Sequence, residues 1–336
     1  MSDFFNDRFL GRRDFVRRTL AGAASLGVLS VLAGEKAKEA NPFAYDVSKY
    51  LATDPKLVGY TQKHLFRTPH EGSRGLALDA NDNLFIAAGK FVSELKADGS
   101  TASEFALTDE AKCVAVADDS IYVGLRDHIE VFTRKGERKA MWETPGAKAY
   151  LTGLAVSAND LFVADAGQRV LLRYDRSGKL VMRLGERNKE RNVPGFIVPS
   201  AFFSVQLAND GLLRVTNPGR HRVETYTVGG DFEGAWGKPG AAIENFCGCC
   251  NPINLALLPD GRVVTLEKGI PRVKVHAADG AFESVVAGTE SFAENAKLCG
   301  PNDCTVGGLA GAVDAQGRIY ILDFVANNVR VMERKT

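Results

Sequence analysis

Residues 153–175 read GLAVSANDLFVADAGQRVLLRYD, and their pattern is the clearest indication of the fold. A short apolar run is followed by a polar turn, a second apolar run ending at Asp165, and a third run beginning at Val170. Short runs rich in Val, Leu, Phe and Tyr, separated by Ser, Asn, Asp and Gly, are typical of β-strands joined by tight turns. The stretch therefore predicts three consecutive antiparallel strands.

The same pattern recurs six times along the chain. The predicted first strands begin at residues 75, 113, 153, 204, 254 and 308. A glycine turn and a fourth strand complete most units, and four short strands per repeat are the sequence form of a β-propeller. The last unit reaches the C-terminus after three strands, and residues 57–66 can supply its fourth. We therefore predict an all-β, six-bladed β-propeller with four-stranded blades, its ring closed by an N-terminal strand that removes the exposed sheet edges.

A motif recurs where the second strand of a unit leads into the third. DAGQRV at 165–170 is echoed by NPGRHRV at 217–223 and by DFVANNV at 323–329. This motif resembles that of the NHL-repeat propellers, and the resemblance covers nearly all of the chain after residue 40. It implies the propeller fold. It does not select one function, since such propellers include metal-dependent lyases, hydrolases and plain binding modules.

The composition excludes several classes of protein. The 336 residues include 42 Lys and Arg against 41 Asp and Glu, and 45% of them are hydrophobic. This balance excludes a disordered chain, a polybasic nucleic-acid binder and an acidic tail protein. We therefore expect no nucleic acid among the partners.

The N-terminus carries the signs of a targeting segment. GRRDFVR at 11–17 resembles the twin-arginine export motif, and a weakly apolar run rich in Ala, Gly and Leu follows at 19–34. That run is shorter than the roughly 20 residues that cross a bilayer comfortably. We expect residues 1–40 to be a twin-arginine signal, residues 41–336 to form the propeller, and the protein to be periplasmic. Cleavage after residues 31–33 (VLA) and retention as a membrane anchor both stay open.

Three long insertions fall between the fourth strand of one predicted blade and the first strand of the next. They cover residues 186–199, 238–252 and 289–306. In an up-and-down blade these connections share one face of the ring with the loops between second and third strands. Long loops gathered on a rigid scaffold are where function commonly lies.

Five of the six cysteines lie in two of these insertions. FCGCCNP at 246–252 precedes the first strand of blade 5, and LCGPNDC at 298–304 precedes that of blade 6. Neighbouring blades would bring the two loops together, and four converging thiolates suit an iron–sulfur cluster or structural zinc. The predicted metal ligands are Cys247, Cys250, Cys299 and Cys304, with Cys249 as an alternative ligand or reactive thiol. We favour an iron–sulfur cluster because the twin-arginine route carries folded proteins, often after a cofactor has been loaded.

Disulfide bonds are the alternative for these cysteines in an exported protein. Cys299 would pair with Cys304, or one loop with the other, or Cys249 with its neighbour Cys250. The chain would then be a propeller whose long loops are held by disulfide bonds. It would bind a small molecule or a protein and would need no cofactor. Cys113 begins a central strand, where we expect it to be a small buried hydrophobic residue.

Histidines and cations complete the candidate site. His70 precedes blade 1, while His128 and His221 lie in the loops between second and third strands, so all three should face the cysteine side. Several histidines around a propeller channel would favour a metal-dependent lyase or hydrolase, although His221 shares the repeat position of Gln168 and Asn328, which favours a structural role. The candidate substrate-binding residues are Arg74, His70 and His128. Arg74 and Lys112 precede the first strands of blades 1 and 2, where they would attract an anion.

The sequence as a whole predicts an exported propeller with a cysteine-bound metal centre at the channel mouth. Its role would be redox or electron transfer, with a small molecule or a redox protein as partner. Asp165 and Asp323 end second strands, where such residues cap a loop more often than they act as bases.

Overall fold

The structure, a computed structural model, describes residues 50–293 and 307–336. Within these residues, 24 strands form six four-stranded antiparallel sheets. The first strands of neighbouring blades contact one another all the way round, so they form the inner wall of a ring. The all-β, six-bladed propeller predicted from the repeats is therefore confirmed. The predicted signal, residues 1–40, lies outside the described residues.

The first three blades follow a strand, β1 (Tyr60–Arg67), that belongs to the last blade. Blade 1 consists of β2 (Ser73–Leu78), β3 (Leu84–Ala88), β4 (Phe91–Leu95) and β5 (Thr101–Ala106). Blade 2 consists of β6 (Cys113–Ala117), β7 (Ser120–Gly124), β8 (Ile129–Thr133) and β9 (Arg138–Met141). Blade 3 consists of β10 (Leu151–Val156), β11 (Asp160–Asp165), β12 (Val170–Asp175) and β13 (Leu180–Leu184).

The last three blades carry the longer connections. Blade 4 consists of β14 (Val205–Leu207), β15 (Leu213–Asn217), β16 (Arg222–Tyr226) and β17 (Phe232–Trp236). Blade 5 consists of β18 (Asn254–Leu257), β19 (Val263–Leu266), β20 (Val273–His276) and β21 (Phe282–Ala287). Blade 6 consists of β22 (Leu309–Val313), β23 (Ile319–Asp323) and β24 (Asn328–Arg334), with β1 as its outer strand.

The described helical structure is confined to short 3-10 turns. They are Pro55–Leu57, Pro218–Arg220 and Thr289–Ser291. In the part of the chain that the structure describes, no helix is both long enough and apolar enough to cross a membrane.

The ring is closed by pairing the two ends of the described chain. β1 runs antiparallel to β24, with Tyr60 opposite Arg334 and Arg67 opposite Asn328. The predicted closing strand, residues 57–66, is thus found at 60–67. Pairing both ends in one sheet leaves blade 6 with the same four strands as the other blades.

The hydrophobic core lies between the blades. A cluster of buried apolar side chains fills each interface between neighbouring blades, as where Phe85 and Ala87 of blade 1 meet Val114 and Val116 of blade 2. Burying one such large side chain contributes about 1.5–3 kcal/mol, so the ring is held by the sum of these interfaces. The channel wall is therefore a rigid frame for the loops at its rim.

Glycines let the inner strands approach closely. A Cβ on Gly75 would lie 2.9 Å from the backbone nitrogen of Val114, and one on Gly153 would lie 3.1 Å from the carbonyl oxygen of Phe203. A side chain at either position would push neighbouring blades apart. These glycines consequently narrow the channel at its centre.

An aspartate caps the loop at two of the repeated junctions between second and third strands. Asp165 Oδ1 accepts hydrogen bonds from the backbone nitrogens of Tyr150 and Gln168, both at 3.0 Å. Asp323 Oδ1 likewise accepts from the nitrogens of Val325 and Ala326. These contacts match the capping role expected for both residues.

Strand pairing corrects the repeat position assigned to His221. Asp165 pairs with Val170, Asn217 with Arg222 and Asp323 with Asn328. The residues before those partners, Arg169, His221 and Asn327, all adopt left-handed φ angles of 60°, 56° and 47°. Their shared backbone geometry makes Arg169 and Asn327 the equivalents of His221, in place of Gln168 and Asn328, because each of the three lies four residues after the last residue of its second strand.

Candidate functional site

The cysteine loop, residues 246–252, connects β17 to β18 on the face of the ring at which the first strands begin. We call this the upper face. Cys250 is buried, Cys247 is half-buried and Cys249 is exposed. The Sγ atoms of Cys249 and Cys250 lie 3.4 Å apart. Three sulfurs are therefore held within one short loop above the inner wall.

Asn251 fixes the main chain of this loop. Its Nδ2 donates to the carbonyl oxygen of Cys247 at 2.6 Å and to that of Lys268 at 2.9 Å. Its Oδ1 accepts from the backbone nitrogen of Lys268 at 2.9 Å. Because Asn251 is only 1% exposed, little water competes for these bonds. The loop is thus tied to the neighbouring junction after β19.

A buried ionic cluster of Glu267, Arg272 and Lys274 lies beneath the loop. Arg272 Nη2 is 2.8 Å from Glu267 Oε2, and Lys274 Nζ is 2.7 Å from Glu267 Oε1. All three side chains are at most 2% exposed. Burial alone would raise the pKa of Glu267, but the charges of Lys274 and Arg272 outweigh it and hold that pKa below its ordinary value.

The ionic cluster also holds the insertion that carries the cysteines. Arg272 donates to the carbonyl oxygens of Ala241 and Asn245, both at 3.1 Å. Lys274 Nζ donates to the carbonyl oxygens of Ile243 and Asn245, at 2.9 and 2.8 Å. In addition, the backbone nitrogen of Cys247 donates to Glu267 Oε2 at 3.2 Å. The insertion is therefore bound to β20 through charge-assisted hydrogen bonds.

The thiols of two cysteines are made less acidic by their surroundings. Burial raises the pKa of Cys247, with the positive charge of Arg272 acting in the opposite direction. Burial raises the pKa of Cys113 to about 12, and the sulfur of that residue fits only because Gly124 beside it lacks a side chain. Cys113 is thus a packed core residue, as the sequence predicted.

The described residues contain part of the predicted ligand set. Cys247, Cys249 and Cys250 lie together on the upper face, whereas Cys299 and Cys304 fall outside the description. Among residues 50–293 and 307–336, no group of three or more His, Cys, Asp or Glu side chains is arranged to hold a metal ion. The metal-ligand prediction therefore stays a prediction.

Each of the three upper-face histidines has a different hydrogen-bond partner. His70 Nε2 lies 3.0 Å from Glu104 Oε2, and its ring stacks on Phe91 with centroids 3.9 Å apart. His128 Nδ1 lies 2.8 Å from Asp127 Oδ1. His221 Nε2 lies 2.6 Å from the carbonyl oxygen of Gly248, so it contacts the cysteine loop itself. Sequence reasoning missed this last contact, because it depends on the path of the insertion.

An upper chamber of about 480 Å³ opens at the channel mouth. Its described wall includes Arg74 and Lys112, together with the aromatic residues Tyr150, Phe202 and Phe324. Arg74 thus lines the chamber, as its sequence position suggested, whereas His70 and His128 are absent from the described wall. The guanidinium carbon of Arg74 lies 5.2 Å from the ring centroid of Phe324. Neither phenylalanine was predicted as a site residue, although Phe324 lies in the repeated motif at 323–329, and both lie outside the strands.

The channel narrows below this chamber. A waist of about 40 Å³ is lined by inner-strand residues that include Gly75, Gly153 and Gly311. Below it, a lower chamber of about 500 Å³ is formed by the opposite ends of the first strands. The waist has less than a tenth of the volume of either chamber, so we expect an organic ligand that enters from the upper face to stop there.

Comparison with known proteins supports the fold. No family model matches this chain, and no curated protein matches it. Among solved structures it is similar to a streptogramin B lyase, with 12% identity, a TM-score of 0.55 and coverage of 81% of this chain and 98% of that one. It is also similar to the virginiamycin B lyase from Staphylococcus aureus (14% identity, TM-score 0.53, 82% and 100% covered) and to the WD40 β-propeller domain of Doa1 (12%, 0.51, 79% and 79%). At these identities the likeness shows the β-propeller fold alone.

Proposed function

We propose that this chain is an exported, NHL-like propeller whose cysteine loop helps to bind an iron–sulfur cluster with a redox or electron-transfer role. The protein would reach the periplasm through the twin-arginine signal at its N-terminus. The observation that carries the proposal is the fixed arrangement of the cysteine loop. Three cysteines lie within four residues, two of their sulfurs are 3.4 Å apart, and their main chain is tied down by buried groups.

The donor set fits such a centre. Iron–sulfur clusters and zinc are both held by cysteine thiolates, and Cys247 with Cys250 gives the CxxC spacing that is common among such ligands. Cys299 and Cys304 would complete a set of four. When bound, an iron–sulfur cluster supplies one-electron transfer.

The charges beneath the loop also suit bound thiolates. Arg272 and Lys274 bring two positive charges against the single negative charge of Glu267. This surplus of one positive charge lies under a loop whose cysteines must lose their protons to act as ligands. The half-buried Cys247, whose pKa is raised by burial, would release its proton on binding. The buried ionic cluster would therefore position the cysteine ligands and offset part of the negative charge of their thiolates.

A series of single cysteine substitutions tests the proposal. Anaerobically purified parent protein should show broad absorbance at roughly 400 nm. Serine in place of Cys247, Cys250, Cys299 or Cys304 should release or weaken the centre in every case. Cys113→Ser is the matched control and should keep the centre, since that sulfur is packed against Gly124 in blade 2.

Other outcomes of this series would overturn the proposal. A colourless parent protein whose cysteines lose stability in matched pairs would identify disulfides and a stapled binding propeller. A bound divalent ion that survives every cysteine substitution would favour a lyase or hydrolase that uses other ligands. Cys249→Ser is informative, because loss of metal would make Cys249 a ligand and retained metal with lost activity would make it a reactive thiol.

The export route is tested separately. Replacing Arg12 and Arg13 by lysine keeps the charge of the N-terminus, yet it should leave the protein inside the cell, since the pair is read by a receptor. Undiminished periplasmic yield would show that another route carries the protein, and the argument for loading a cofactor before export would fall with it.

A further inference from the structure

The two ends of the channel differ in charge. The described wall of the upper chamber contains the cations Arg74 and Lys112 and no carboxylate. The described wall of the lower chamber contains three carboxylates, Asp79, Asp82 and Asp314, and no lysine or arginine, although two arginines outside the wall form ion pairs with Asp79 and Asp314. Charges of one sign in a concave, low-dielectric wall concentrate ligands of the opposite sign. The upper chamber is therefore the end that attracts anions.

Arg74 is available to a ligand. Within the described residues its guanidinium forms no ion pair, and it faces the Phe324 ring. The hydrogen bond from Lys112 lowers the pKa of the Glu110 carboxyl, and the positive charge of Arg74 acts on that group in the same direction. Lys112 Nζ lies 2.9 Å from Glu110 Oε2, but the Glu110 side chain is 64% exposed. An ion pair with an exposed carboxylate contributes little and is readily exchanged for a better partner. Both cations can thus turn towards an anion in the chamber.

The rest of the described wall combines apolar and aromatic side chains with a few uncharged polar groups. The rings of Phe202 and Phe324 lie nearly parallel, with an interplanar angle of 18° and centroids 6.4 Å apart. Gly308 fits against both rings, because a Cβ there would lie 2.6 Å from Phe202 and 2.8 Å from Phe324. Ile253 and Val325 extend the same wall. Charged and polar groups placed among apolar and aromatic side chains are the usual pattern of a small-molecule site.

We propose that the upper chamber binds a small planar organic anion. Its carboxylate or phosphonate group would contact Arg74 and Lys112, and its ring would lie against Phe202 and Phe324. The volume of about 480 Å³ accommodates such a molecule, and the waist of about 40 Å³ blocks its passage to the acidic lower chamber. This site does not depend on the chemistry of the cysteines.

Titration with phenylphosphonate, followed by ligand-observed NMR on the full-length protein, tests the site. Benzyl alcohol and benzylamine serve as uncharged and cationic probes with the same ring. Phenylphosphonate should bind at least tenfold more tightly than either, and its affinity should fall as salt is added. Arg74→Gln should weaken its binding about tenfold, since a charge-assisted hydrogen bond is lost. Phe324→Leu should weaken it by a smaller factor, because the flat ring face is removed.

The control is Arg67→Gln on β1, whose side chain is 80% exposed and which should leave the affinity unchanged. Thermal melting of each variant checks that the propeller remains folded. A Cys250→Ser protein that still binds phenylphosphonate would separate this site from the proposed metal centre. Equal affinity for the three probes, or equal loss in the Arg74 and Arg67 variants, would overturn the proposal.

Discussion

Replacing Glu267 by glutamine should destabilise the propeller more than any loss of an exposed ion pair. The substitution removes the one negative charge between Arg272 and Lys274, and all three side chains are at most 2% exposed. Breaking a buried ion pair by removing one partner costs about 3–5 kcal/mol, because the remaining charge is left without compensation. Burial already lowers the pKa of Lys274, and without Glu267 this lysine can lose its proton, so we expect a loss within this range and not above it.

Urea denaturation of the parent and the variant measures this loss. Hydrogen exchange should show its location, with faster exchange in residues 238–252 than elsewhere, because the same charged groups bind that segment. Glu333→Gln is the matched control. Glu333 lies 3.3 Å from Lys63 and both side chains are about half exposed, so its loss should cost less than about 1 kcal/mol.

Two results would refute this reasoning. The first is a Glu267→Gln protein that unfolds within about 1 kcal/mol of the parent, which would mean that the buried charges are not compensated as the distances indicate. The second is a large loss of stability without faster exchange in residues 238–252. The ionic cluster would then stabilise blade 5 but would not hold the cysteine loop.

Three further predictions concern single features of the fold. Burial and the charge of Lys274 lower the pKa of His276 to about 4. Between about pH 6.5 and 4 the unfolded chain therefore binds a proton at this histidine that the folded protein does not bind. The free energy of unfolding should fall by up to about 3 kcal/mol as the pH drops from about 6.5 to 4. His276→Gln should remove this component from the pH dependence of the unfolding free energy. Gly124→Ala should cost about 1–3 kcal/mol in urea denaturation, because the added methyl group overlaps the sulfur of Cys113. A chain that begins at Thr68 lacks β1 and should aggregate in light-scattering measurements, because the edge of blade 6 is exposed.

Each of these three has a contradicting result. A difference in stability between parent and His276→Gln that does not change over that pH range would show that folding does not lower the pKa of His276. Gly234→Ala is the control for Gly124→Ala, since nothing lies within 4 Å of its Cβ position, and equal losses would argue against the close contact with Cys113. A monomeric shortened chain that melts like the parent would contradict the closure of the ring by β1.

The blades could be predicted from the sequence because their signals are local and repeated. The predicted central strand at 113–116 is observed at Cys113–Ala117, and the one at 254–257 is observed at Asn254–Leu257. Short apolar runs, polar turns and a sixfold repeat each point to the same architecture. The closing strand followed from counting, since the last repeat was one strand short.

The buried ionic cluster could not be predicted in the same way. In VKVH at 273–276, strand alternation places Lys274 opposite the apolar side chains, which usually means exposure to solvent. It is buried because the insertion at 238–252 folds over β20 and offers its carbonyl oxygens. The aromatic wall of the upper chamber was missed for a related reason. Phe202 and Phe324 lie in connections of different blades, and they meet only once the ring is closed.

The most direct test of the proposed function is the iron and acid-labile sulfide content of the full-length protein, purified without oxygen. An iron–sulfur cluster held by four thiolates predicts equal amounts of iron and sulfide, about two or four of each per chain, with both lost together in Cys250→Ser and both kept in Cys113→Ser. A parent protein that contains neither iron nor sulfide, and whose cysteines resist alkylation until a reductant is added, would contradict the redox centre and identify the cysteines as disulfides.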